Sequence, residues 1–330
     1  MKCIRSPTNQ LRYRTFPSTI SHLSIRNMAT STASSNNASN PSDRKLKILM
    51  LHGFTQTGHT FSLKTKALKK SLEKAFPSAP SPGHLQNYPG GLSLHYPTGP
   101  IRLSPASVPG YSGDETDEIE AYGWWKRKEG SRPGEPFYYE GIEAGLGGIA
   151  EVIREEGPFD GVMGFSQGGC ASGMVASLLE PSRLAAFNSL KEGMKYPASF
   201  SDENGESIQP PMKFAVSYSG FAASDSPLYR AFYEPKIETP MLHFLGSVDT
   251  IVSEERSLRL VESCKDGRGK EGGVARVVYH PGGHVVPSTQ KQYIAALVAF
   301  IREALGEGSN ANGRNGDAQG EKVEDMDVPF

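Results

Sequence analysis

The stretch Pro158-Phe159-Asp160-Gly161-Val162-Met163-Gly164-Phe165-Ser166-Gln167-Gly168-Gly169 reads as a buried strand, a sharp turn carrying a serine, and the start of a helix. It fits the pattern G-x-S-x-G of a nucleophile elbow, in which a serine sits on a strained turn between strand and helix. At such a turn the flanking positions 164 and 168 have room for little more than hydrogen, which is why both are glycine. The neighbouring sequence agrees. Phe159 to Met163 is a short apolar run, and Cys170 to Leu179 is a helix of small residues able to pack tightly under a sheet. Ser166 is therefore the candidate nucleophile. Cys170, one turn further on, is expected to be packed rather than reactive.

Working outward, Lys45 to Leu51 is a second buried strand that stops at His52-Gly53. His59 to Phe76 has the apolar spacing of an amphipathic helix ended by Pro77. Residues 77 to 138 are rich in Pro and Gly, with a strand near Leu92 to Tyr96 and an acidic loop from Asp114 to Glu120 before Trp124-Trp125. A helix over Tyr139 to Glu156 feeds the elbow strand. Beyond the elbow helix, residues 190 to 211 read as a polar insertion. Lys213 to Ser217, Met241 to Leu245 and Ala275 to Tyr279 are further strand-like runs, separated by helical patterns around Glu254 to Cys264 and Gln290 to Ala304. Strands alternating with helices predict right-handed crossovers and an α/β fold: a mostly parallel central sheet with helices on both faces.

The chain has 330 residues, enough for one large α/β domain. With 35 basic and 36 acidic residues interspersed, the net charge is -1, which provides no electrostatic footprint for nucleic acid or an anionic membrane. Three cysteines, Cys3, Cys170 and Cys264, form neither a disulfide framework nor a metal-binding spacing, so no metal is expected and a reducing, cytoplasmic setting is. The longest apolar stretch, Tyr293 to Ile301, is too short to span a bilayer. Residues 1–42 carry Lys2, Arg5, Arg12, Arg14 and Arg26 with no acid, and are rich in Ser and Thr, which resembles a mitochondrial transit peptide. The competing reading is that translation starts at Met28. Both 1–42 and the acidic tail 307–330 lack the apolar content to join a core and are expected to be disordered, leaving 43–306 as the folded domain.

A serine hydroxyl needs a base in hydrogen-bonding reach and a carboxylate that holds the base in the right tautomer. In a fold with this elbow the chain order is serine, acid, histidine. Asp249, just past the strand Met241 to Leu245, is the candidate acid, with Asp225 a rival whose neighbours look like a turn start. His284 is the candidate base, in the Pro281-Gly282-Gly283-His284 loop after the last strand. His280 precedes a proline and is read as structural. Two backbone N–H groups, of Phe54 and Gln167, are the expected oxyanion hole. His52, before a glycine at a strand end, is expected to fix its loop rather than act as a base.

With these residues in hand, the pattern is specific. Leu51-His52-Gly53-Phe54, Trp124-Trp125, Gly157-Pro158-Phe159-Asp160-Gly161 leading into the elbow, Asp249 and Pro281-Gly282-Gly283-His284 together resemble the fungal family of serine hydrolases, the FSH group of α/β hydrolases. The resemblance spans roughly residues 45 to 304. It implies a cofactor-independent hydrolase with Ser166, Asp249 and His284 as its triad, acting on carboxylic esters or thioesters, either small molecules or carrier-bound acyl chains released in a biosynthetic pathway. A different class of reading is a non-catalytic binding protein on a hydrolase scaffold. The basic leader, the insertion and the acidic tail depart from the family pattern, so compartment and substrate choice do not carry over. Selectivity is expected in residues 98 to 138, where Trp124 and Trp125 are either core anchors or the apolar wall of a substrate pocket.

Overall fold

A computed structural model describes residues 43–265 and 275–307, apart from positions 115, 131 and 133. The expected leader, and the expected tail beyond residue 307, lie outside the described residues. In chain order the strands are β1 (Leu46–Leu51), β2 (Leu92–His95), β3 (Ile101–Arg102), β4 (Tyr122–Gly123), β5 (Lys126–Lys128), β6 (Tyr138–Glu140), β7 (Gly161–Phe165), β8 (Phe214–Tyr218), β9 (Met241–Gly246) and β10 (Ala275–His280). The helices are α1 (Gly58–Lys64), α2 (Lys66–Ala75), α3 (Ile142–Glu156), α4 (Gln167–Leu178), α5 (Arg183–Ser189), α6 (Glu254–Glu262) and α7 (Lys291–Ala304).

Six strands form one sheet in the order β10-β9-β8-β7-β1-β2, and every neighbouring pair is parallel. Side chains alternate between its faces. Leu49, Leu51, Val162, Ala215 and Met241 pack on one side with α3, α4 and α6, while Leu46, Ile48, Met50, Met163 and Phe244 pack on the other with α2 and α7. A fully parallel sheet must be covered on both faces, which accounts for the near-continuous apolar runs in the strands. Strand order reverses at β1, since the chain first adds β2 on one side and later β7 on the other. In open α/β sheets ligands bind beyond the carboxyl ends of the strands at such a switch point.

Several details differ from the sequence-based expectation, among them the start of the helix expected over 139–156, which begins at Ile142 because Tyr139 lies in β6. The helix expected over 59–76 is two helices, α1 and α2, because the Thr65 hydroxyl donates to the Phe61 carbonyl at 2.8 Å and bends the chain there. Two small antiparallel ladders, β3–β4 and β5–β6, occupy the Pro/Gly-rich region, too short to leave a periodic signal. The insertion at 190–211 is not wholly polar at its base: Phe200 is fully buried and Met194, Tyr196 and Ile208 pack against the core.

Candidate active site

The sharpest constraint in the molecule lies at the β7–α4 junction. Ser166 has φ 53° and ψ -115°, a left-handed conformation that non-glycine residues rarely adopt. A Cβ on Gly164 would lie 1.9 Å from the Gly168 carbonyl oxygen, and one on Gly168 would lie 2.0 Å from the Leu51 carbonyl oxygen. Missing side chains therefore let α4 start directly against β7 and β1. The strained serine is held from both sides, its N–H donating to the Tyr218 carbonyl at 2.8 Å and its carbonyl accepting from the Cys170 N–H at 3.0 Å. Every residue of α4 is buried, Cys170 included. Burial pushes the Cys170 thiol up to about 12, despite the opposing Tyr233 hydroxyl, so it stays a neutral packed group.

At the other end of the sheet, the loops after β9 and β10 bring two more side chains to this serine. His284 Nε2 lies 2.9 Å from Ser166 Oγ, and His284 Nδ1 lies 2.8 Å from Asp249 Oδ2. An ionised carboxylate can only accept, so Nδ1 carries the proton and the Nε2 lone pair faces the serine hydroxyl. The second oxygen of Asp249 accepts from the Ile251 and Val252 amides, each at 2.9 Å. Burial alone would raise the Asp249 carboxyl, but those two amides and His284 outweigh it and hold the group below the usual carboxylate range. The loops are fastened to each other. Ser247 N–H donates to the His280 carbonyl at 2.8 Å, and a Cβ on Gly246 would lie 2.3 Å from the Gly283 carbonyl oxygen. The rival residues are engaged elsewhere: Asp225 pairs with Arg259, and His280 Nδ1 accepts from the Gly282 amide at 3.2 Å.

The β1 loop supplies the third component. Gly53 N–H donates to the Gln56 carboxamide at 3.4 Å and Thr55 N–H to the Tyr122 carbonyl at 2.8 Å, while the Phe54 N–H between them has no acceptor among the described residues. Gln167 N–H, first in α4, is likewise without an intrahelical partner. His52 closes the loop from behind. It accepts from the Gly99 N–H at Nε2 (2.8 Å), which leaves Nδ1 to donate to the Gly53 carbonyl (2.8 Å). Burial lowers this imidazole to about 4, against the raising effect of the Gly53 carbonyl, so it stays neutral.

A family model described as Serine hydrolase (FSH1) matches residues 41–296. The chain belongs to this serine hydrolase family. It is similar to a Schizosaccharomyces pombe protein named Dihydrofolate reductase, 31% identical over 270 residues that cover 79% of this chain and 48% of the relative. The chain thus spans about half the length of that relative. A Saccharomyces cerevisiae protein, Family of serine hydrolases 3, is 29% identical over 270 residues, 78% of this chain and 84% of its own length. Similarity reaches beyond fungi to an Aedes aegypti protein named as an esterase, 29% identical over 289 residues, 84% of this chain and 85% of the relative.

In this member of the serine hydrolase family both tryptophans are buried, each 1% exposed, so of the two roles open from sequence the structure favours core anchor. The Gln167 carboxamide explains their placement: its oxygen accepts from the Trp124 N–H and its nitrogen donates to the Trp125 carbonyl, each at 2.8 Å. The Trp124 indole donates to the His52 carbonyl at 2.9 Å, and Trp125 stacks on Tyr139 with ring centres 5.1 Å apart. The hollow that reaches His284 lies instead on the opposite flank. It has a volume of about 280 Å³ and is walled by Phe61 and Lys64 of α1, Phe165, Val285 and Val286, with Gln56 at the loop. None of these wall residues was identified from the sequence, because their convergence depends on the break at Thr65 and the fold of the His284 loop. Two larger hollows, of about 700 and 740 Å³, are lined by the 190–211 insertion and the ends of α4 and α5, and touch none of Ser166, Asp249 or His284. Among the described residues no cluster of three or more His, Cys, Asp or Glu side chains could hold a metal ion, and no helix is long and apolar enough to cross a membrane.

Proposed function

We propose that this chain cleaves carboxylic esters or thioesters through an acyl-enzyme on Ser166. The observation that carries the reading is the continuous hydrogen-bonded chain from Ser166 Oγ through His284 to Asp249. His284 Nε2 takes the hydroxyl proton as Ser166 Oγ bonds to the carbonyl carbon, and the carbonyl oxygen gains the negative charge. The free Phe54 and Gln167 amides are the donors for that oxygen, and losing one such donor typically costs about 10²- to 10³-fold in rate. As the tetrahedral carbon collapses, the bond to the alcohol or thiol breaks and the leaving group takes the proton from His284. Water then repeats the sequence in reverse roles, giving the free acid and regenerating the serine. Asp249 keeps the imidazole in the productive tautomer and stabilises its cation.

The small apolar hollow beside His284 fits an acyl chain or a compact leaving group. A cytoplasmic location fits the two free, buried cysteines Cys170 and Cys264. Labelling by a fluorophosphonate probe tests the assignment. Stoichiometric modification at Ser166, lost in Ser166→Ala together with ester hydrolysis (about 10⁶-fold in kcat), is the expected result. A folded wild-type protein that resists the probe while control hydrolases react would overturn it.

A further inference from the structure

The hollow beside His284 has mostly apolar walls and one permanent charge. Phe61, Phe165, Val285 and Val286 form its sides, Gln56 is neutral, and Lys64 stands at its rim three residues after Phe61 on the same face of α1. Lys64 is exposed, and among the described residues no carboxylate pairs with it. Its surroundings add charge of the same sign. Lys66, Lys69, Lys70 and Lys74 follow on α2, all exposed, with Glu73 the single acid on that helix and already 3.9 Å from Lys69. In a chain with net charge -1 this leaves a local positive field at the mouth of the hollow. The His284 side offers no compensating acid, since residues 281–290 contain no Asp or Glu and the Asp249 carboxylate is engaged with His284 and two amides.

A neutral alkyl ester would leave that ammonium without a partner. We propose that Lys64 selects substrates carrying an anionic group, a carboxylate or a phosphate, joined to the reacting carbonyl through an apolar segment that fills the hollow. The inference rests on the hydrolase reading above and adds the chemical class of its substrate. A carboxylate would come from the far end of the acyl chain, as in the monoester of a dicarboxylic acid, whereas a phosphate would come from the leaving group.

The test is a ratio of specificity constants within each protein. One pair compares p-nitrophenyl hexanoate with the mono-p-nitrophenyl ester of adipic acid, which has the same six carbons but ends in a free carboxylate instead of a methyl group. The other compares S-hexanoyl pantetheine with S-hexanoyl 4′-phosphopantetheine. Wild-type enzyme is expected to favour the anionic member of at least one pair by about fivefold, the upper scale of one exposed charge pair. Which pair responds identifies the source of the anion. Lys64→Met removes the preference, Lys64→Arg retains it, and about 0.5 M salt weakens it. Lys74→Met, at the far end of α2, leaves the ratio within about twofold, as expected of a local contact. A preference unchanged in Lys64→Met, or lost equally in Lys74→Met, overturns the assignment of Lys64, as does a wild-type enzyme that hydrolyses all four substrates without preference. Failure to cleave any of the four, with no labelling of Ser166, would instead indict the hydrolase reading itself.

Discussion

At the β7–α4 junction Ser166 is fixed by backbone packed on backbone, whereas beyond β9 and β10 Asp249 and His284 are held by a few hydrogen bonds between two loops that expose Val248, Ile251 and Val285. The first arrangement has no slack, because Gly164, Gly168 and Leu51 meet where no side chain fits. The second can move by small changes in loop conformation without disturbing the sheet. The placement of Ser166 is thus a property of the fold, and its alignment with His284 is a property of the loops.

Three experiments bear on that contrast. The largest effect is expected from Asp249→Asn, which keeps the shape of the loop but reverses the hydrogen bond to His284 Nδ1. The expected loss is about 10⁴-fold in kcat with the melting temperature little changed, measured by ester hydrolysis and calorimetry. A variant that keeps most of its activity would show that the acid is dispensable to the alignment. Next comes a matched pair of glycine substitutions. Gly246→Ala pushes on the Gly283 carbonyl and should cost about 10²-fold in kcat through misplacement of His284 while the protein stays folded. Gly164→Ala, clashing at the elbow, should instead cost about 3 kcal/mol of stability or more, read by denaturant unfolding. Equal stability losses in the two would mean that the elbow and the loop contact are held equally rigidly.

The smallest effect concerns acid. Burial lowers His52 to about 4 and His243 to about 3 from an ordinary 6.5. Below pH 6.5 the unfolded chain therefore takes up protons that the folded chain refuses, so stability is complete above that value and declines as pH falls toward 4. Each histidine contributes at most about 1.4 kcal/mol per pH unit. The Asp249 carboxyl, held below its usual range, contributes stability that persists across this window and is lost only at lower pH. Mild acid sensitivity should thus come from buried imidazoles in β9 and behind the β1 loop rather than from the exposed loops after β9 and β10. His243→Leu is expected to flatten the decline in melting temperature between about pH 6.5 and about pH 4.5; an unaltered slope would assign it elsewhere.

What could be read from the sequence follows the same division. Glycines at 164 and 168, and apolar runs alternating with helical patterns, are local signals, and they pointed to the elbow and to the parallel sheet covered on both faces. Asp249 and His284 were accessible because each follows a strand end closely, so the sheet itself brings them near Ser166. The walls of the hollow were not accessible. Phe61 and Lys64 look like ordinary members of one amphipathic helix until Thr65 divides it, and Val285 and Val286 follow the Pro281-Gly282-Gly283-His284 loop, whose path no periodic pattern gives. The tryptophans stay open between two roles in the sequence for a physical reason: a large aromatic near a catalytic motif serves equally well as wall or anchor, and only burial separates the two.

Gln167 constrains how this chain can be altered by mutation. Its main-chain N–H, proposed above as a donor to the reacting carbonyl, lacks an intrahelical partner, while its side chain clasps the backbone of Trp124 and Trp125 in both directions, so a single position serves two unrelated masters. Libraries that randomise the residues bordering Ser166 would do well to leave 167 untouched and to explore the exposed Val285 and half-buried Val286 rather than Phe61, whose ring belongs to the core under the sheet.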